Sequence, residues 1–223
     1  MAGQETMTYT LRVFILAILH NPAVAKAAQA QLDSICGSHA PSFEDREQLP
    51  YIEALIKETM RWRPVAPIGV PHLASEDIEV QGFLVPKGTL FIDNIWSQSR
   101  DPALYPNPDQ FDPARFLDAT GCLASPIPDA HQLGFGRGRR ICPGRDFAIN
   151  GIFIAAASLL WAFDFEWAVD VTGNPVMCGT LEMEDHSVLA TVRPFEMKVK
   201  PRREGLDEKL LELLRERDAN LSV

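Results

Sequence analysis

The sequence predicts an α+β fold that is mainly helical, with small antiparallel sheet pieces set between the helices. Three features carry that expectation: helical stretches at the start of the chain, short β-branched runs between turn residues, and one long, nearly all-apolar helix beyond them. Residues 8–20 are rich in Leu, Ile, Val and Phe and stop at Asn21-Pro22, because proline has no N–H with which to continue a helix. Residues 23–35 are Ala-rich and helical, and Gly37 ends them. Residues 51–62 place Ile52, Leu55, Ile56 and Thr59 on one face, and Pro64 and Pro67 forbid continuation. Between residues 68 and 95, Ile78-Glu79-Val80 and Thr89-Leu90-Phe91-Ile92 are separated by Gly82 and Pro86-Lys87-Gly88, a pattern of strands and turns. Residues 101–129 hold six prolines and little periodicity; so long a loop in a compact domain is functional or ordered around something else. Residues 147–163 read as a helix whose apolar character implies a buried position. Residues 176–199 resemble further short strands, and residues 206–217 a charge-rich amphipathic helix.

Composition excludes several classes. The chain has 223 residues, 46% hydrophobic and 23% charged, which is enough for a real core and argues against global disorder. A formal net charge of -9 makes a general nucleic-acid binder a poor expectation, since phosphates demand a basic face. Cys36, Cys122, Cys142 and Cys178 form no C-x-x-C pair, so neither a disulfide framework nor a zinc site is suggested. The longest apolar run, residues 152–163, is broken by Ser158 and is short of the ~20 residues of a membrane span. No signal peptide is visible.

One segment stands out, Phe135-Gly136-Arg137-Gly138-Arg139-Arg140-Ile141-Cys142-Pro143-Gly144. Glycines let the backbone turn tightly and approach a flat ligand. Arginines grip carboxylates in a bidentate fork. A cysteine thiolate is a good axial ligand for haem iron. A lone cysteine by itself fits a small buried apolar residue, and an Arg-rich loop by itself fits a solvated face or a phosphate contact. Together, at this spacing, F-x-x-G-x-R-x-C-x-G resembles the haem-binding signature of the cytochrome P-450 family.

Further segments extend the resemblance. Glu58-Thr59-Met60-Arg61 is similar to the family's E-x-x-R on a helix, where positions i and i+3 share a face and can pair. Phe111-Asp112-Pro113-Ala114-Arg115-Phe116 is similar to its P-x-R-F element. The resemblance implies a buried Glu58–Arg61–Arg115 network that locks the proline-rich segment under the haem loop. Ala2-Gly3-Gln4-Glu5-Thr6 resembles the oxygen-activation motif A-G-x-[DE]-T, which implies that Glu5 and Thr6 relay protons towards bound dioxygen. Pro71-His72 is similar to the strand that sends a cation to a haem propionate, so His72 and Arg140 are expected to hold propionates. Phe135 is expected to pack near the thiolate of Cys142, with backbone N–H groups around Gly136, Gly138 and Gly144 close by. Residues 65–70 and 186–189 fall where the family places segments that touch substrate. Cys36, Cys122 and Cys178 match no ligand position and read as structural.

The resemblance runs over residues 2 to about 200, roughly the C-terminal half of that fold, and implies a truncated member. Residues 1–203 are expected to form a partial cytochrome P-450 domain and residues 204–223 a terminal helix. Its implied chemistry is insertion of one atom of dioxygen into an apolar small molecule. Its implied cofactor is heme b, held through Cys142, and its implied electron source an NADPH-dependent flavoprotein reductase. Arg137, Arg139 and Arg145 are expected to offer that reductase a basic face. Intact eukaryotic relatives sit on the cytosolic face of the endoplasmic reticulum through an anchor that this sequence does not show. The alternative is a catalytically inactive chain acting at most as a haem-binding or interaction module. An exposed apolar face on the 8–20 helix is the structural sign expected of the truncation.

Overall fold

The structure, a computed structural model, describes residues 2–124, 133–179, 183–186, 188–206 and 208. Pro126 and Pro128 of the long loop, and nearly all of the helix expected at 206–217, lie outside the described residues. Long helices form the core: α1 (Ala2–His20), α2 (Pro22–Ile35), α3 (Pro50–Trp62) and, after the short α4 (Ile95–Gln98), α5 (Arg145–Ala162). Pro22 and Pro50 each open a helix, where a missing N–H costs nothing. Between and after the helices lie antiparallel two-stranded ladders. β1 (His72–Leu73) pairs with β4 (Leu90–Phe91), and β2 (Ile78–Val80) with β3 (Phe83–Val85). β5 (Phe163–Trp167) pairs with β8 (Met197–Pro201), and β6 (Met183–His186) with β7 (Leu189–Val192). The fold is thus α+β and mainly helical.

β5 falls where the sequence suggested only the end of a helix. Phe163-Asp164-Phe165-Glu166-Trp167 alternates half-buried and exposed residues, a period of two that becomes a strand once residues 197–201 lie beside it. The preceding helix ends there because cations reach its open carbonyls. Arg202 Nη1 donates to the Leu160 and Trp161 carbonyls at 3.0 and 3.1 Å, and its Nη2 pairs with Asp33 of α2 at 2.6 Å.

The core has α1 and α5 at its centre. Every residue from 13 to 19 of α1 is buried, under α3, α5, β5 and β7. The apolar face expected to be exposed on this helix is therefore covered, because neighbours pack around its whole circumference. Exposed apolar surface lies instead on and just before the sheet pieces, at Val70, Leu73, Phe83, Leu84 and Leu90. The expectation for α5 needs a second correction. Ile152, Phe153, Ala156, Ala157 and Leu160 are buried at helical spacing against α1, α2 and α3, whereas Phe147 in its first turn is 77% exposed. Apolar composition all round the helix does not bury every face of it. Among the described residues α5 alone is, as one straight helix, long and apolar enough to cross a membrane, and one stripe of it packs into the core.

Phe14→Ala, at a fully buried site, is expected to lower stability by about 3–5 kcal/mol in urea unfolding. Phe83→Ala, at a side chain that is 74% exposed, is expected to change it by less than about 0.5 kcal/mol.

Candidate functional site

The Cys142 loop is a tight fold-back onto the N-terminus of α5. The Cys142 N–H donates to the Phe135 carbonyl at 2.8 Å, closing the loop. Gly136 and Gly138 have φ of +73° and +62°, a left-handed conformation that residues with a Cβ adopt at a cost. Residues Gly138–Arg140 make one 3-10 turn, and Gly144 caps α5. At the base of the loop, a Cβ on Gly134 would stand 3.2 Å from Met60 Cε, so the loop rests closely on α3. Leu133 completes a small apolar cluster with Ala54, Ile95, Tyr105 and Phe116. Cys142 is a free thiol and half-buried, and a Cβ on Gly144 would reach only van der Waals distance, 4.0 Å, from its sulfur. Residues 137–140, 143 and 144 are exposed. The thiol is thus not enclosed in solid interior. One free thiol, left-handed glycines and exposed guanidiniums are a donor set that fits a haem.

The loop's arginines divide. Arg137 Nη2 donates to Gln98 Oε1 at 3.0 Å, and Gln98 bonds Asp93. Arg145 pairs with Asp146 at 2.9 Å. Arg139 and Arg140 are exposed. The basic face expected of Arg137, Arg139 and Arg145 is narrowed by these pairings, because two of its members already have polar partners.

Beneath the loop, Glu58, Arg61 and Arg115 come together around one carboxylate. Arg61 grips it in a fork, Nε to Oε2 at 2.6 Å and Nη2 to Oε1 at 2.8 Å. Glu58 Oε1 also accepts the Asp112 N–H at 2.8 Å and Arg115 Nε at 3.1 Å. Both Glu58 and Arg61 side chains are wholly buried. Arg61 Nη1 donates onward to the Ser99 carbonyl, and Arg115 to those of Pro106 and Gln110. The charges are therefore saturated with hydrogen bonds, the condition under which burial is tolerable.

The sequence did not reveal a second arginine layer. Trp62, the last residue of α3, offers its carbonyl to Arg63 Nη1 at 2.8 Å and Arg100 Nη2 at 2.5 Å, capping the helix with cations. Both guanidiniums lie near the Trp96 ring, Arg100 at 3.3 Å from its centroid. Burial first, then repulsion from neighbouring arginines, pulls Arg63 and Arg100 down to about 10, so both stay charged at neutral pH.

The oxygen-motif residues occupy the first turns of α1. Glu5 is exposed; Thr6 is half-buried, with Oγ1 at 3.4 Å from the Gly3 carbonyl. Neighbouring Met7 lies over Gly151 of α5, where a Cβ would meet Met7 Cε. That contact joins the two motif-bearing helices, and its signal in the sequence was a glycine inside an apolar helix. His72 is exposed on β1 opposite Phe91, and among the described residues no hydrogen bond or ion pair links it to Arg140. Ala190, next after the 186–189 segment expected to face substrate, donates its N–H to the Val65 carbonyl of the 65–70 segment at 2.8 Å.

Comparison with known proteins agrees with the resemblance. The family model for Cytochrome P450 matches residues 1–199. Cytochrome P450 monooxygenase 58 of Postia placenta is 45% identical over 205 residues, which is 90% of this chain and 39% of that protein. Cytochrome P450 monooxygenase yanC of Aspergillus niger is 41% identical over 94% of this chain and 40% of its own length. A zebra fish cytochrome P450, solved with abiraterone, superposes with a TM-score of 0.75 at 32% identity and covers 89% of this chain and 45% of its own. The chain thus spans about two fifths of the length of the curated relatives it matches.

Removing Glu58 leaves Arg61 buried without its counter-charge. Glu58→Ala is expected to cost about 3–5 kcal/mol in urea unfolding, and to speed limited proteolysis between residues 101 and 116.

Proposed function

From the premise that the chain belongs to the cytochrome P450 family, we propose that it forms the haem-thiolate half of a monooxygenase acting on an apolar small molecule. One observation carries the reading: a free, half-buried thiol at the mouth of a glycine-turned loop, closed by the Cys142–Phe135 backbone bond. Cys142 holds the iron of heme b as thiolate. Bound there, the haem supplies the centre at which dioxygen is activated with two electrons and two protons.

The chain's own residues do the rest. Gly144 lies beside the sulfur at the start of α5, and N–H groups near Gly136, Gly138 and Gly144 would moderate its charge. Arg140 and His72 hold the propionates, both side chains being exposed and able to swing. Phe135 packs beside the thiolate. Glu5 collects protons from solvent, where it is exposed, and passes them to the Thr6 hydroxyl. Val65, Ile68 and Val70, with Leu189 beside them, present apolar surface to the substrate. The electrons come from an NADPH-dependent flavoprotein reductase. Arg139, exposed beside Cys142 in sequence, would meet it.

The purified chain is expected to take up haem and to show a thiolate-type Soret band in the carbon-monoxide difference spectrum. Cys142→Ala is expected to abolish that band. A folded preparation that takes up no haem overturns the reading in favour of a non-catalytic interaction module.

A further inference from the structure

Far along the sequence from the Cys142 loop, three ligating side chains meet in the turn that joins α2 to α3. Cys36 follows the last residue of α2, His39 lies on the loop and Asp45 precedes the 3-10 turn Arg46–Gln48. One ligand atom from each lies within 4.8 Å of the other two, and His39 Nε2 is 4.0 Å from Asp45 Oδ1. Ligand atoms around a tetrahedral zinc stand about 3.3–3.6 Å apart, as bond lengths of about 2.0–2.3 Å require. Loading the site therefore draws all three donors inward from their present separations.

The surroundings aim the donors. His39 Nδ1 faces the Ala40 carbonyl at 3.1 Å, and a ring nitrogen there must carry the proton and donate. The lone pair is then on Nε2, the nitrogen 4.0 Å from Asp45 Oδ1. Metal-bound histidines are oriented by this kind of backbone contact. Asp45 Oδ2 accepts the Ser42 N–H at 2.8 Å and the Ser42 hydroxyl at 2.9 Å, which leaves Oδ1 for a further partner. The loop ends are firm. The Gly37 carbonyl accepts Trp161 Nε1 at 3.2 Å, and Arg46 Nε pairs with Glu53 at 2.5 Å. Cys36 is buried and in no disulfide, whereas the His39 side chain is 59% exposed and gives an ion a way in.

We propose that Cys36, His39 and Asp45 form a zinc site with a water in the fourth position. The thiol S–H bond breaks and its proton passes to solvent as the S–Zn bond forms, with no change of oxidation state. The donor set of thiolate, imidazole and carboxylate suits Zn²⁺ and is wrong for Mg²⁺ or Ca²⁺. The ion would clamp the α2–α3 turn without touching the Cys142 loop. Cys36, read from the sequence as structural because it matches no ligand position of the family, stands in C-x-x-H spacing with His39.

Titration calorimetry of the full chain with Zn²⁺ alone tests this, in a buffer whose reductant does not chelate. The expected result is one ion per chain, binding at least tenfold weaker in His39→Ala and in Asp45→Asn, and unchanged in Cys142→Ala. Because His39 is exposed, its variant keeps the fold even if Cys36→Ser does not. With Co²⁺ in place of Zn²⁺, a thiolate-to-metal charge-transfer band is expected that Cys142→Ala leaves and His39→Ala weakens. Absence of saturable binding, equal affinity in His39→Ala, or binding lost in Cys142→Ala overturns the site.

Discussion

The carboxylate of Glu58 is buried at full charge, and such a group is tolerable only while every lone pair is met. Its partners come from three places in the chain: Arg61 one turn along α3, the Asp112 backbone and Arg115. Meeting that demand lays residues 99–116 against α3. Tyr105 and Phe116 then close the apolar cluster that holds Leu133, and Gly134 settles on Met60. The Phe135 carbonyl that receives the Cys142 N–H stands directly on this platform. The geometry of the thiol loop thus descends, step by step, from one buried ion pair.

The opposite wall is apolar. α1 and α5 are buried where they cross the core and open to solvent at their first turns. Those two first turns carry Glu5 and Thr6 on one helix and follow Cys142 on the other, and Met7 over Gly151 joins the pair. Rigid hydrophobic packing behind and exposed functional groups in front is the arrangement a bound cofactor needs, because its ligands are positioned before it arrives. The zinc site proposed at Cys36, His39 and Asp45 draws on another part of the same core, the end of α2 as held by Trp161 of α5.

Much of this was legible without coordinates. The ends of α1, α2 and α3 follow from Asn21-Pro22, Gly37 and Pro64, since proline and glycine act on their immediate neighbours. The spacing around Cys142 and the pair Glu58 and Arg61 are local as well, so the family could be identified from them. That residues 101–116 are held in place was implied by the resemblance, through the P-x-R-F element that brings Arg115 to Glu58.

What the sequence determined by itself is therefore whatever depends on residues a few positions apart: helix ends, turns and motif spacing. The tertiary structure decided which of several apolar faces is covered. α5 is apolar all round, yet Phe147 is exposed while Phe153 is buried, and α1 is enclosed on every side. It also decided pairings over long separations, β5 with β8, Arg137 with Gln98 and Arg202 with Asp33. Local pattern states that a surface is apolar or that a charge needs a partner. Only the packed chain states which neighbour arrives, because burial and pairing are properties of the neighbours as much as of the residue.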